Sequence, residues 1–160
     1  MLLKRSILIV LMLIIFMAKV NAEEISLSNL SIEEKVGQMV MVKSNNDVNE
    51  KFLSLGIGSI FLDGGKKSSE FREIIDKYQN KSKMRLLVAT DMEGYWNPFS
   101  DYKSKFFGEI RNGEEARLLG EEHAKILERA GFNLDFSPVV ESKNKVWPGR
   151  SFNGGFEERK

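Results

Sequence analysis

The stretch RLLVATDMEGYWNPF, residues 85–99, decides how the rest of the chain is read. Leu86 to Ala89 is an apolar run of the length a buried strand needs. It breaks at Thr90 into two acids, Asp91 and Glu93, followed by Gly94 and the aromatics Tyr95, Trp96 and Phe99. A continuous apolar run that ends in carboxylates fits a strand of a parallel sheet, where functional groups gather at the carboxyl ends.

Working outward, the pattern alternates between helix and strand. Ser31-Ile32-Glu33-Glu34 is a capping box, and Val36, Met39 and Val40 behind it lie on one helical face, which predicts a helix from about Ile32 to Met41. Val48, Phe52 and Leu55 predict a second, short helix ending near Gly56. GIGSIFLD (56–63) reads as a strand closed by the turn Asp63-Gly64-Gly65. Phe71, Ile74, Ile75 and Tyr78 have the spacing of an amphipathic helix, entered from the polar loop Lys66-Lys67-Ser68-Ser69. After the strand at 85–90, Gly113 to Ala130 gives the longest helix, with Gly131 placed to cap it. FNLDFSPVV (132–140) alternates apolar Phe132, Leu134 and Phe136 with polar neighbours and stops as a strand at Pro138. Repeated alternation of this kind predicts an α/β fold with a parallel sheet.

The first 22 residues read as a leader. Lys4 and Arg5 precede an apolar run from Ile7 to Ala18, too short to span a bilayer comfortably but suited to the core of a signal peptide, and Val20-Asn21-Ala22 offers a cleavage site before Glu23, the alternative being an uncleaved N-terminal anchor. The expectation is a signal peptide at 1–22, no stable membrane insertion after cleavage, and a secreted or periplasmic product. Removing Lys4, Arg5 and Lys19 from 24 basic residues leaves 21 against 23 acids. No basic cluster exceeds a pair such as Lys66-Lys67, which gives no basis for nucleic-acid binding. The absence of cysteine excludes a disulfide framework and a lipid-anchored form. One histidine and no cysteine argue against a zinc site, and no cofactor or metal is implied.

Several side chains could carry chemistry. Asp91 and Glu93 point the same way if the strand persists past Thr90 and diverge if the chain has turned. Spacing alone leaves open a paired-carboxylate role or a loop acid beside a cap acid. Tyr95, Trp96 and Phe99 would suit either a sugar-stacking platform or simple loop packing. His123, between Leu119 and Ile126, reads as a core-edge histidine, and Asp63 as the acceptor of an Asx-type turn. KVWPGRSFNGG (145–155) is a loop that presents Arg150 between Trp147 and Phe152, either donating fixed hydrogen bonds to a ligand or bridging a structural acid.

Taken together, these stretches resemble the N-terminal barrel domain of glycoside hydrolase family 3, in its β-N-acetylhexosaminidase branch. LSIEEKVGQMVMV (30–42) is similar to the family's opening helix and GIGSIFL to its next strand. LLVATDMEG resembles the D-x-E-G strand end that contacts the sugar. AKILERAGFNLDFSPVVE (124–141) resembles the helix–strand segment ending in Pro-Val, and PGRSFNG the Arg-Ser-Phe loop. The resemblance implies the first, incomplete half of a TIM-type (β/α)8 barrel over 23–160. It further implies retaining hydrolysis of a β-linked N-acetylhexosamine glycan, with Asp91 and Arg150 as substrate-binding residues. Two departures stand out. No arginine occurs between residues 95 and 107, where the family carries one. The family's histidine-containing acid/base loop and aspartate nucleophile have no counterpart here, so no catalytic residue is assigned. The expected role is therefore an N-terminal glycosidase fragment, inactive alone, with a complementing C-terminal half as partner. The alternatives are a non-catalytic carbohydrate- or partner-binding remnant, and a related β-glycosidase of other sugar preference.

Overall fold

The computed structural model describes residues 27–44, 48–93, 96–104, 110 and 112–139. The chain divides into two compact units, 1–30 and 31–160. The described part of the first is a single 3-10 turn at Leu27–Asn29. The predicted leader at 1–22 and the Arg150 loop lie outside the described residues. Among the described residues, no helix is long and apolar enough to cross a membrane.

The second unit runs α1 (Ile32–Gln38), β1 (Met41–Lys43), α2 (Glu50–Ser54), β2 (Ser59–Phe61), α3 (Ser68–Lys81), β3 (Leu87–Thr90), α4 (Gly113–Ala130) and β4 (Leu134–Asp135). All strand pairs are parallel, in the order β1-β2-β3-β4, with a helix between successive strands. This is the α/β alternation expected, built as consecutive βα units of a partial barrel.

Local chemistry accounts for the helix boundaries. At α1 the capping box forms: Glu34 N–H donates to Ser31 Oγ at 3.2 Å, and Ser31 N–H to Glu34 Oε2 at 2.8 Å. The helix ends at Gln38, three residues short of the predicted Met41, because Met41–Lys43 pairs with Ser59–Phe61 as β1. That strand was not predicted. Val36, Met39 and Val40, expected as a packed face, are exposed among the described residues, Met39 at 87%. Gly37 is required by close approach, since a Cβ there would stand 2.3 Å from the Gly56 carbonyl oxygen. Asn49 caps α2 by accepting from Lys51 and Phe52 N–H, but Leu55, predicted on its apolar face, is exposed.

α3 is fastened at both ends. Lys67 N–H donates to Glu70, and Asp101 accepts from both the N–H and the hydroxyl of Ser68, at 3.0 and 2.9 Å. At the far end Tyr78, fully buried, bonds the Ser44 hydroxyl at 2.8 Å and accepts from Asn49 N–H at 3.0 Å. α4 ends in a Schellman motif: Gly131 N–H reaches Glu128 O, Phe132 N–H reaches Leu127 O, and Gly131 sits at φ 93°.

One face of the sheet carries the core. Ile60, Leu62, Val88 and Met92 pack with Phe71, Ile75 and Tyr78 of α3 and with Ile126, Leu127 and Ala130 of α4. Phe71, Phe99 and Phe132 meet edge to face at 5.2–5.9 Å. Alternation sends Met41, Lys43, Phe61, Leu87 and Leu134 to the opposite face, the one that lines the interior of a closed barrel. There Leu87 is 51% and Phe136 48% exposed.

Candidate functional site

Three acidic residues stand near the carboxyl ends of β3 and β4, within electrostatic range of one another. Asp91 and Glu93 follow β3, and Asp135 closes β4, paired in register with Thr90. The chain between the first two is held by Met92, whose side chain is fully buried in the core. Its N–H donates to Asp135 Oδ1 at 3.0 Å, and its carbonyl accepts from Ser137 Oγ at 2.6 Å. Met92 thus continues the helix-facing row of Val88 and Thr90. By the same alternation Asp91 falls on the open face, in the row of Ala89.

The two strand-end acids differ in environment. Asp91 is half-buried, whereas Glu93 is buried and its carbonyl accepts from Trp96 N–H at 2.7 Å. Asp135 is pushed up to about 6. Burial is the main cause, opposed by the Met92 N–H and reinforced by the negative fields of Asp91 and Glu93. A carboxyl of this kind changes charge within the ordinary working range of pH.

Around the acids, the exposed aromatic surface is not the one predicted. Phe99 belongs to the core, 4% exposed and edge-on to Phe71 and Phe132, so it takes no part in a stacking platform. Trp96 is 65% exposed, while Tyr95 lies outside the described residues. On the open face, Phe61 and Phe136 stack at 6.3 Å, with Lys43 Nζ 5.8 Å from the Phe61 ring centre. Lys43 also ion-pairs with Asp63 at 2.6 Å. The Asp63 carboxylate therefore joins β1 to the end of β2 and does not cap its own turn. That turn is made by Gly64 and Gly65, both at positive φ.

His123 stands away from this cluster on α4, buried and edge-on to Tyr102 at 6.0 Å, with burial holding it below the usual imidazole range against the pull of Glu122. It is the core-edge histidine expected. A cavity of about 480 Å³ lies near the opposite ends of the strands, lined by Arg72, Gln79, Arg85 and Asn133 among others. In barrels that end serves stability, and the strand-end acids are the better site on chemical grounds. No group of three or more metal-ligating side chains is present among the described residues.

Sequence reading found Asp91 and Glu93 because they end an apolar run. It passed over Asp135 and Ser137, whose role arises from contacts to Met92 across more than forty residues. The available signal was the position of Asp135 at the carboxyl end of its strand. Arg150 lies outside the described residues, so its relation to Asp91 is not part of this geometry. The family model described as glycosyl hydrolase family 3 N terminal domain matches residues 31–158. No curated protein matches the chain significantly.

Proposed function

Because the chain belongs to the glycosyl hydrolase family 3 N-terminal domain family, we propose that it is the sugar-binding first half of a retaining glycosidase acting on β-linked N-acetylhexosamine. The observation that carries this reading is Asp91: a half-buried carboxylate at the carboxyl end of a barrel strand, on the interior face, with its neighbour Met92 held on both backbone polar atoms. Substrate groups in barrels dock at that end. An ionised carboxylate there accepts hydrogen bonds from adjacent sugar hydroxyls, and Phe61, Phe136 and Trp96 offer ring faces to the apolar side of a pyranose.

In this reading Arg150 donates to the sugar from the opposite side, and Glu93 supports the strand-end loop. A complementing C-terminal half supplies the acid/base loop and the nucleophile. The D-M-E-G strand end favours the hexosaminidase branch over related β-glycosidases. The leader features at 1–22 support export.

The test uses the chain joined to, or co-expressed with, a matching C-terminal half and assayed on a chromogenic β-N-acetylglucosaminide. Asp91→Ala and Arg150→Ala should each lower kcat/KM with thermal midpoints unchanged. A charged hydrogen bond to a sugar hydroxyl contributes about 1.5–3 kcal/mol, or roughly ten- to a hundred-fold in rate. Glu93→Gln should cost less. Full activity of Asp91→Ala would overturn the assignment.

A further inference from the structure

Beyond Thr90 the regular β3–β4 ladder gives way to side chains. The last paired residues are Thr90 and Asp135, and Phe136 N–H still reaches Thr90 O at 3.0 Å. Two residues further, at Met92, two side chains of the β4 segment replace the ladder. Asp135 Oδ1 accepts from Met92 N–H at 3.0 Å, and Ser137 Oγ donates to Met92 O at 2.6 Å. Asp91 and Glu93 flank Met92 directly, so whatever fixes the Met92 peptide fixes where both acids point. A displacement of about an ångström at a substrate contact is enough to cost much of its effect.

We propose that Asp135 is a positioning residue for the sugar-contacting strand end, its carboxyl oxygen holding the Met92 amide and, through it, the direction of Asp91. The proposal rests on the reading of Asp91 as a sugar contact. The titratable groups that face the Asp135 carboxyl are Asp91 and Glu93, both past the end of β3, and no described cation forms an ion pair with it. An ionised carboxylate is the stronger acceptor for an N–H. The Asp135 carboxyl changes charge at about 6, so the hold on Met92 tightens as pH rises through that value and slackens below it. Ser137 keeps the carbonyl side throughout. Affinity for the sugar should follow the same inflection.

The experiment uses the full chain, isotope-labelled for NMR, titrated between about pH 4.5 and 8. At each pH, the Asp135 carboxyl carbon and the amides of Asp91, Met92 and Glu93 are followed, and methyl β-N-acetylglucosaminide is titrated in as the probe. The expected result is one shared inflection near pH 6 in the carboxyl and all three amides, with weaker sugar binding below it. Asp135→Asn keeps an oxygen acceptor and removes the titration. Neutral at every pH, it should lose the inflection and bind at pH 7.5 about as weakly as wild type does below pH 6. Asp135→Ala removes the acceptor and should lower affinity about tenfold at pH 7.5, with no inflection, the size of one hydrogen bond in a desolvated site. A purely structural Asp135 would alter stability without giving affinity a pH inflection that Asp135→Asn abolishes. Strand-end amides that ignore the Asp135 titration, or an inflection that survives in Asp135→Asn, would overturn the proposal. Should the wild-type chain bind no sugar at any pH, the sugar-contact reading of Asp91 falls, and the amides alone then decide whether Asp135 holds the strand end. If Asp135→Ala does not fold, wild type and Asp135→Asn still give the answer.

Discussion

Asp135 is half-buried and His123 buried, and desolvation moves the two titratable groups in opposite directions. Asp135 is raised from 3.8 to about 6 in the folded chain. Its native state holds the proton more tightly than the unfolded state does, so its contribution is most favourable below pH 4 and is lost as pH rises to about 6. Asp135→Asn should therefore have a higher thermal midpoint than wild type at pH 7.5, with the difference shrinking toward pH 4. His123 is lowered from 6.5, so its favourable contribution is present above that pH and is lost as pH falls through the depressed value. His123→Gln should flatten the acid side of the stability curve below pH 6.5. Thermal melts of the two variants and wild type at four pH values check both signs. These two residues also show what was legible at this scale. His123 could be read from helical spacing between Leu119 and Ile126, a local property. Asp135 could not, because its partner Met92 is 43 residues away.

At the scale of elements, the long helices were readable and the shortest strands were not. α3 and α4 carry their apolar rows, and α4 its glycine cap, within their own sequence. β1 is three residues long and is a strand only because β2 lies beside it. Its residues continue the apolar pattern of α1, and nothing local marks where helix stops. β4 shows the same dependence, two residues where a run to Pro138 was expected. Two substitutions probe how the elements are joined. Tyr78→Phe keeps the ring in the core but removes the hydroxyl that serves both Ser44 and Asn49. Leaving these partners unsatisfied costs about 1–3 kcal/mol, read as a lower urea midpoint at unchanged m-value. Gly131→Ala forces an L-residue to φ 93° and sets a Cβ 3.2 Å from Ile75 Cγ2. It should cost at least the ~1–2 kcal/mol of the left-handed region. A midpoint equal to wild type in either variant would show that the joint relaxes without loss.

For the whole molecule, the decisive asymmetry lies between the two faces of the sheet. The helix-facing side is closed by α3 and α4, while Leu87 and Phe136 stand half exposed on the other. Among the described strands, β1 and β4 each pair on one edge only. Open strand edges beside an exposed apolar face favour association with another surface. In the proposed function that surface is the complementing half of the barrel. Leu87→Lys and Phe136→Lys together should leave the helix-facing core intact, because neither side chain belongs to it. In the chain alone the pair should lower binding of a hydrophobic dye and reduce self-association on a sizing column. In the presence of a complementing half, the same pair should prevent assembly, because two ammonium groups would be enclosed in the barrel interior at several kcal/mol each. If the double variant assembles and turns over substrate as wild type does, the face bearing Leu87 and Phe136 is not the barrel interior. Asp91, assigned to that face by alternation, would then have to be placed anew.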